Sequence, residues 1–188
     1  MNLEKKVKIL ECAKKRFERF GFRKTTVDEI AEEVGVSKRT LYELFESKEK
    51  ILAELVITEA RSFRAALAAR MRAVPDPAEK IRILVRLTEE YFAENPFLRK
   101  VLSDELGMYA PFLKDEIGII EESMEKIFRN IVIEGIEAGA FCGELDEEVA
   151  AHCIFLLFRS FTYAQTPKEA ELGRKWVDFV LKAVEKRY

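Results

Sequence analysis

With three cysteines, one histidine, one tryptophan, five prolines and eight glycines in 188 residues, the chain has little material for several kinds of chemistry. Cys12, Cys142 and Cys153 have no metal-like spacing, and an odd count favours buried free thiols over a disulfide framework. The only histidine, His152, is expected on a helix as a packing or hydrogen-bonding group. No run approaches the roughly 18 apolar residues of a membrane span. The start, MNLEKKVKILECAKKRF, carries charge on every turn and no uninterrupted apolar stretch, so it does not read as a secretory signal, and a cytoplasmic location is expected. The sequence also lacks a Gly-rich phosphate loop, a metal cluster and a nucleophile–base pair. Asp104–Glu105 and Glu121–Glu122 read as ordinary helix-surface charge. The expectation is a protein that is not an enzyme and carries no metal and no cofactor.

What is present is charge and apolar surface in the proportions of a globular protein: 35% charged and 48% apolar residues. The net charge of −2 would by itself argue against a nucleic-acid partner. Its distribution argues otherwise. Residues 1–50 hold 13 Lys and Arg against 10 Asp and Glu, whereas the remainder holds 19 against 24. A basic head on an acidic body suits a protein that meets phosphate at one end.

The chain is organised around Thr26 to Phe45, TVDEIAEEVGVSKRTLYELF. Val27, Ile30, Ala31 and Val34 recur at i, i+3, i+4 and i+7, one apolar helix face. Thr25 or Thr26 caps that helix, and Glu29, three residues beyond Thr26, completes a capping box. Gly35 can take the left-handed conformation that ends it. Val36 plugs the turn, and Ser37 caps a second helix. There Leu41, Leu44 and Phe45 fall on one side, and Arg39, Tyr42 and Glu43 on the other, with Lys38 and Thr40 on the flanks. Two short helices with a tight turn and a polar, partly basic second helix predict a helix-turn-helix, whose second helix enters a DNA major groove. Ser47 starts another helix with Lys48 at its first position, where a cation opposes the helix dipole. A DNA phosphate would account for it.

FGFRKTTVDEIAEEVGVSKRTLYELFESKEKIL resembles the DNA-binding signature of the TetR family of bacterial transcriptional regulators. The matching features are the FG pair, TTVDEIA, the AEEVGVSK turn, TLY in the second helix and F-x-SKE at the next. They cover about residues 5 to 55. Arg39 departs from the pattern, which often has a small residue there, and so does Glu43-Leu44, where polar or basic residues are common. The resemblance implies an all-α protein of about nine helices: a three-helix DNA-binding head at 1–47 and a larger ligand-binding and dimerisation body at 48–188.

Along the chain, residues 3–20 read as a first helix with Leu10, Ala13, Phe17 and Phe20 as its apolar stripe and Lys5, Lys8, Lys14 and Lys15 over much of the rest. From Lys48 to about Arg72 there is neither Gly nor Pro, which predicts one helix of roughly 37 Å. Its start should pack on the head through Ile51, Leu52 and Leu55, and its end on the body through Phe63, Leu67 and Met71. Helices over Ala78–Glu94, from Pro96 to about Leu106, and Leu113–Gly139 follow. Helix Asp146–Gln165 is apolar nearly all round, and Lys168–Tyr188 carries two stripes, Leu172–Trp176–Phe179–Val180–Ala183 and Val177–Leu181–Val184–Tyr188. One face packed inward and one against a second copy predicts a homodimer through the 146–188 hairpin.

The expected DNA contacts are Thr26, Ser37, Lys38, Arg39, Thr40, Tyr42 and Lys48. Arg39 and Lys38 are suited to base edges. Tyr42 and Thr40 are suited to a phosphate or a thymine methyl, and Thr26, Ser37 and Lys48 to phosphates. Phe63, Met71, Leu84, Thr88, Tyr91, Phe92, Met108, Tyr109, Phe112, Met124, Phe128 and Phe158 are the candidate lining of an apolar cavity for a small-molecule effector, uncharged or amphiphilic, such as an acyl chain or an aromatic compound. The expected function is a repressor released from a pseudo-palindromic double-stranded DNA operator when that effector binds. The alternatives are a ligand-independent architectural or partner-binding protein, or an activator.

Overall fold

A computed structural model describes residues 2–103, 109–162, 167–173 and 175–185. The elements are α1 (Asn2–Phe20), α2 (Val27–Val34), α3 (Lys38–Leu44), α4 (Lys48–Met71), α5 (Pro77–Glu94), α6 (Pro96–Ser103), α7 (Ala110–Glu137), α8 (Glu147–Thr162), α9 (Pro167–Gly173) and α10 (Trp176–Val184). The protein is all-α: among the described residues the only β feature is one isolated antiparallel bridge, Phe141 to Glu185.

The chain forms two compact units. One comprises Met1–Ser62 and Pro96–Ile117, the other Phe63–Asn95 and Gly118–Tyr188. This grouping differs from the expected division at 47/48. The first turns of α4 bury Ile51, Leu52, Leu55 and Val56, and so belong with the head. Segment 96–117 joins them because Phe97 of α6 packs on Phe17 of α1, with ring centroids 5.8 Å apart.

Within the first unit, α1 buries Ile9, Leu10, Ala13 and Phe17. Phe20, expected on that stripe, is instead exposed at the helix end, flanked by the guanidinium groups of Arg16 and Arg19. Cys12 is buried, and burial together with the nearby Glu33 carboxylate pushes its thiol up to about 11. It is therefore a packing group and not a nucleophile. The expectation of buried thiols does not hold throughout, because Cys153 lies on the exposed side of α8.

The second unit is built on α5, α8, α10 and the later part of α7. Asp76 caps α5 through the Ala78 amide at 3.0 Å, with Pro77 preset at the first helical position. Asp146 caps α8 through the amides of Glu148 and Val149. Two ion pairs, Glu121–Arg159 at 3.0 Å and Glu147–Arg129 at 2.7 Å, and a contact between Glu125 and the His152 ring at 2.6 Å join α7 to α8. His152 thus has a carboxylate partner on the surface. Beneath these pairs, Phe128 meets Phe158 and Phe155, with centroids at 5.2 and 6.5 Å.

The last helix of the expectation, Lys168–Tyr188, is two helices. The break follows Gly173, the weakest helix former of that stretch. The two stripes are also redistributed. Trp176, Val180, Leu181 and Val184 are buried, while Leu172 and Phe179 are exposed. Tyr188 lies outside the described residues.

The end of α10 is held by the connector after α7. The Cys142 amide donates to the Val184 carbonyl at 2.8 Å, and the Gly135 carbonyl accepts from the Ala140 and Phe141 amides, both at 2.9 Å. This fold-back lays the buried Phe141 ring on Gly135, where an added Cβ would fall well inside 3.0 Å of three ring atoms. In an open helix Gly→Ala stabilises by up to about 1 kcal/mol. Here overpacking reverses the sign: Gly135→Ala is expected to destabilise by roughly 1–3 kcal/mol. A raised or unchanged denaturant midpoint would contradict this packing.

Candidate nucleic-acid interface

The caps around α2 and α3 follow from local chemistry. Of the two threonines available, Thr26 is the cap of α2. Its amide and hydroxyl both donate to Glu29 Oε2 at 2.8 Å, and its hydroxyl oxygen accepts from the Glu29 amide at 3.3 Å. These bonds hold the Glu29 carboxyl below the usual carboxylate range. Thr25 is buried and donates to the Gly21 carbonyl at 3.0 Å. Gly35 closes α2 at φ +75°, and the Val36 amide donates to the Ala31 carbonyl at 2.9 Å. Ser37 Oγ accepts from the Thr40 amide at 3.1 Å and lies 2.8 Å from the Thr40 hydroxyl.

Burial orients α3. Leu41 is fully buried and Phe45 is 4% exposed, so this side of the helix belongs to the core of the head. Lys38, Arg39, Tyr42 and Glu43 are all exposed. Arg39 Nε donates to Glu43 Oε1 at 2.9 Å, one turn along the helix. The Lys38 ammonium pairs with Asp28 on α2. A third cation, Arg16 of α1, pairs with Glu33 at 2.7 Å and Glu29 at 3.0 Å, tying α1 to α2.

Lys48 has acceptors within the head. Its ammonium turns into the head and donates to the carbonyls of Phe22 and Thr25, both at 2.8 Å, and to that of Arg23 at 3.5 Å. It also stands 4.5 Å from the centroid of the Phe22 ring. The two close carbonyls each accept one ammonium hydrogen. They give a cation at the start of α4 acceptors within the head. Thr26 holds the cap of α2. Sequence reasoning passed over Phe22, which is buried and meets Phe17, Tyr109 and Phe112 at centroid distances of 5.2, 6.0 and 5.6 Å. The one signal for it was an aromatic directly after the Gly21 helix stop.

The candidate effector lining does not come together as one set. Leu84, Met124, Phe128 and Phe158 share one buried cluster of the second unit, and Phe63 and Met71 pack against it. Tyr91 lies 5.0 Å from Phe63 and 5.6 Å from Phe92, and the Thr88 hydroxyl donates to the Leu84 carbonyl at 2.8 Å. Tyr109 and Phe112 pack instead on Phe22 in the first unit, because the segment carrying them returns to the head. Met108 lies outside the described residues.

A family model described as bacterial regulatory proteins of the tetR family matches residues 9–55, and one described as a tetracyclin repressor-like C-terminal domain matches residues 74–162. The chain belongs to the TetR family. It is a DNA-binding transcriptional regulator of that family, and α2 and α3 are its helix-turn-helix. The HTH-type transcriptional repressor KstR2 of Mycobacterium tuberculosis is 27% identical over 193 residues, covering 95% of this chain and 92% of that protein. The fatty acid metabolism regulator protein of Bacillus subtilis is 26% identical over 151 residues, covering 80% of this chain and 78% of that protein. The crystal structure of FadR from Bacillus subtilis in complex with stearoyl-CoA has the same fold, with a TM-score of 0.77 at 22% identity over 95% of this chain and 99% of that one.

Among the described residues of this TetR-family chain, no group of three or more His, Cys, Asp or Glu is placed to hold a metal ion. No described helix is long and apolar enough to cross a membrane. In its head Lys48 acts on the protein itself. Lys48→Ala strands two close carbonyl acceptors and is expected to lower stability by about 1–3 kcal/mol. An unchanged denaturant midpoint, with weakened binding to every DNA alike, would instead restore a phosphate-contacting role.

Proposed function

We propose that the chain is a repressor that binds a pseudo-palindromic operator as a homodimer and is released when an apolar or amphiphilic small molecule enters the second unit. The outward polar face of α3 carries the DNA part of this reading. Arg39 reads a base edge, Lys38 assists it, and Thr40, Tyr42 and the Ser37 hydroxyl meet phosphates or a thymine methyl. One seven-residue helix reaches only a few base pairs, so useful affinity calls for two copies one helical turn apart.

The dimer reading is supported by the outer sides of α8, α9 and α10. Val149 and Leu156 on α8, Leu172 on α9 and Phe179 on α10 are 59%, 46%, 46% and 72% exposed. Large apolar side chains concentrated on one terminal hairpin are what a two-fold, four-helix interface would cover. The effector reading is supported by the aromatic and thioether side chains grouped in the second unit, by the fatty acid regulator among the relatives, and by the stearoyl-CoA complex of a protein with the same fold. Phe63, Tyr91 and Phe92 are its apolar wall, and Thr88 and Tyr91 its polar handles.

Release follows if the effector favours a state in which α4 is tilted, because α4 is a single helix carrying residues of both units. Differential affinity for the two states is the driving term. The test uses an operator duplex recovered from random DNA. Saturating stearoyl-CoA is expected to weaken operator binding by roughly 5–150-fold, whereas acetyl-CoA leaves it unchanged. Stearoyl-CoA that fails to bind, or binds without altering operator affinity, would overturn the effector assignment.

A further inference from the structure

Both cations on the exposed side of α3 are held by carboxylates. Lys38 is paired with Asp28 and Arg39 with Glu43, and the four side chains are 64%, 53%, 88% and 59% exposed. Pairs this exposed add little to stability, so holding the head together does not explain them. A groove-facing surface without net charge is also poorly suited to phosphate, which supplies most sequence-independent DNA affinity.

We propose that Asp28 and Glu43 are specificity-determining residues, whose carboxylates neutralise the two cations of the reading helix and so suppress sequence-independent binding to the DNA backbone. This rests on the reading in which Arg39 contacts base edges.

A phosphate offers only negative acceptors, so a carboxylate beside the cation is repelled wherever the backbone comes near. A base edge offers both kinds of group. Guanine O6 and N7 accept from an arginine, and the cytosine N4 amine donates to a glutamate. Glu43 engages Arg39 through Nε, which leaves the two terminal guanidinium nitrogens to form a fork towards guanine. The same bond holds the long arginine side chain along the helix. Glu43 is therefore compatible with a base-edge partner and incompatible with a phosphate. Asp28 acts on the second cation in the same way. It sits in the first turn of α2, where a carboxylate is favoured by the helix dipole, and draws the Lys38 ammonium back towards α2.

The experiment measures binding of the wild type, Glu43→Gln and Asp28→Asn to two duplexes from 50 to 200 mM salt. One duplex is the operator recovered from random DNA, and the other is the same duplex with its bases scrambled. Each substitution is expected to tighten binding to the scrambled duplex by roughly three- to tenfold, with a salt slope steeper by about 0.9 for each phosphate newly neutralised. Operator affinity stays the same or falls, so the ratio of operator to scrambled affinity drops at least about threefold. An unchanged ratio, or an unchanged salt slope on scrambled DNA, overturns the proposal. If Asp28→Asn lowers the melting midpoint, Glu43→Gln decides, since Glu43 takes no part in a helix cap. Arg39→Ala provides the separate arm. Equal loss on both duplexes removes the base-reading role of Arg39, and a ratio that still falls in Glu43→Gln then shows that charge suppression acts without it.

Discussion

The structure of the head depends on the burial of Leu41 and Phe45. Both are essentially removed from solvent; Leu41 lies at the middle of a helix only seven residues long, and Phe45 is the residue that ends it. A helix that short has almost no stability of its own. Its orientation is imposed by those two side chains and by the caps at Ser37 and Gly35. Because the apolar side must face inward, Arg39, Tyr42 and Glu43 must face out. The outward polar face of α3 is therefore a consequence of core packing.

Much of this was legible because it is local. Thr26, Glu29, Gly35 and Ser37 act within a few residues of themselves, and each performs the capping role its residue type and position imply. The alternation of apolar and polar positions in α3 needs only helical geometry. The contacts of Lys48 were illegible for the opposite reason. Its partners at Phe22 and Thr25 lie 26 and 23 residues away, and a backbone carbonyl leaves no trace in side-chain pattern. A cation opposing the dipole there calls for an acceptor, and the head supplies two backbone carbonyls.

The body was less legible still. Aromatic content announced a large apolar interior but not its partition, so Tyr109 and Phe112 were grouped with residues of the second unit, although they pack on Phe22. The break after Gly173 redistributed the two stripes of the last helix, because a helical wheel assumes one unbroken axis. What survives is the excess of apolar surface on the terminal hairpin, which depends on composition and not on register.

In the function we propose, the outward face of α3 reads base edges from two paired copies. The most direct measurement is selection from a pool of random duplexes by the purified chain. The account predicts enrichment of a two-fold symmetric consensus whose half-sites lie one helical turn apart, about 34–36 Å between centres. Recovery of no consensus, or of a single unsymmetrical site bound by a lone protomer, would contradict it.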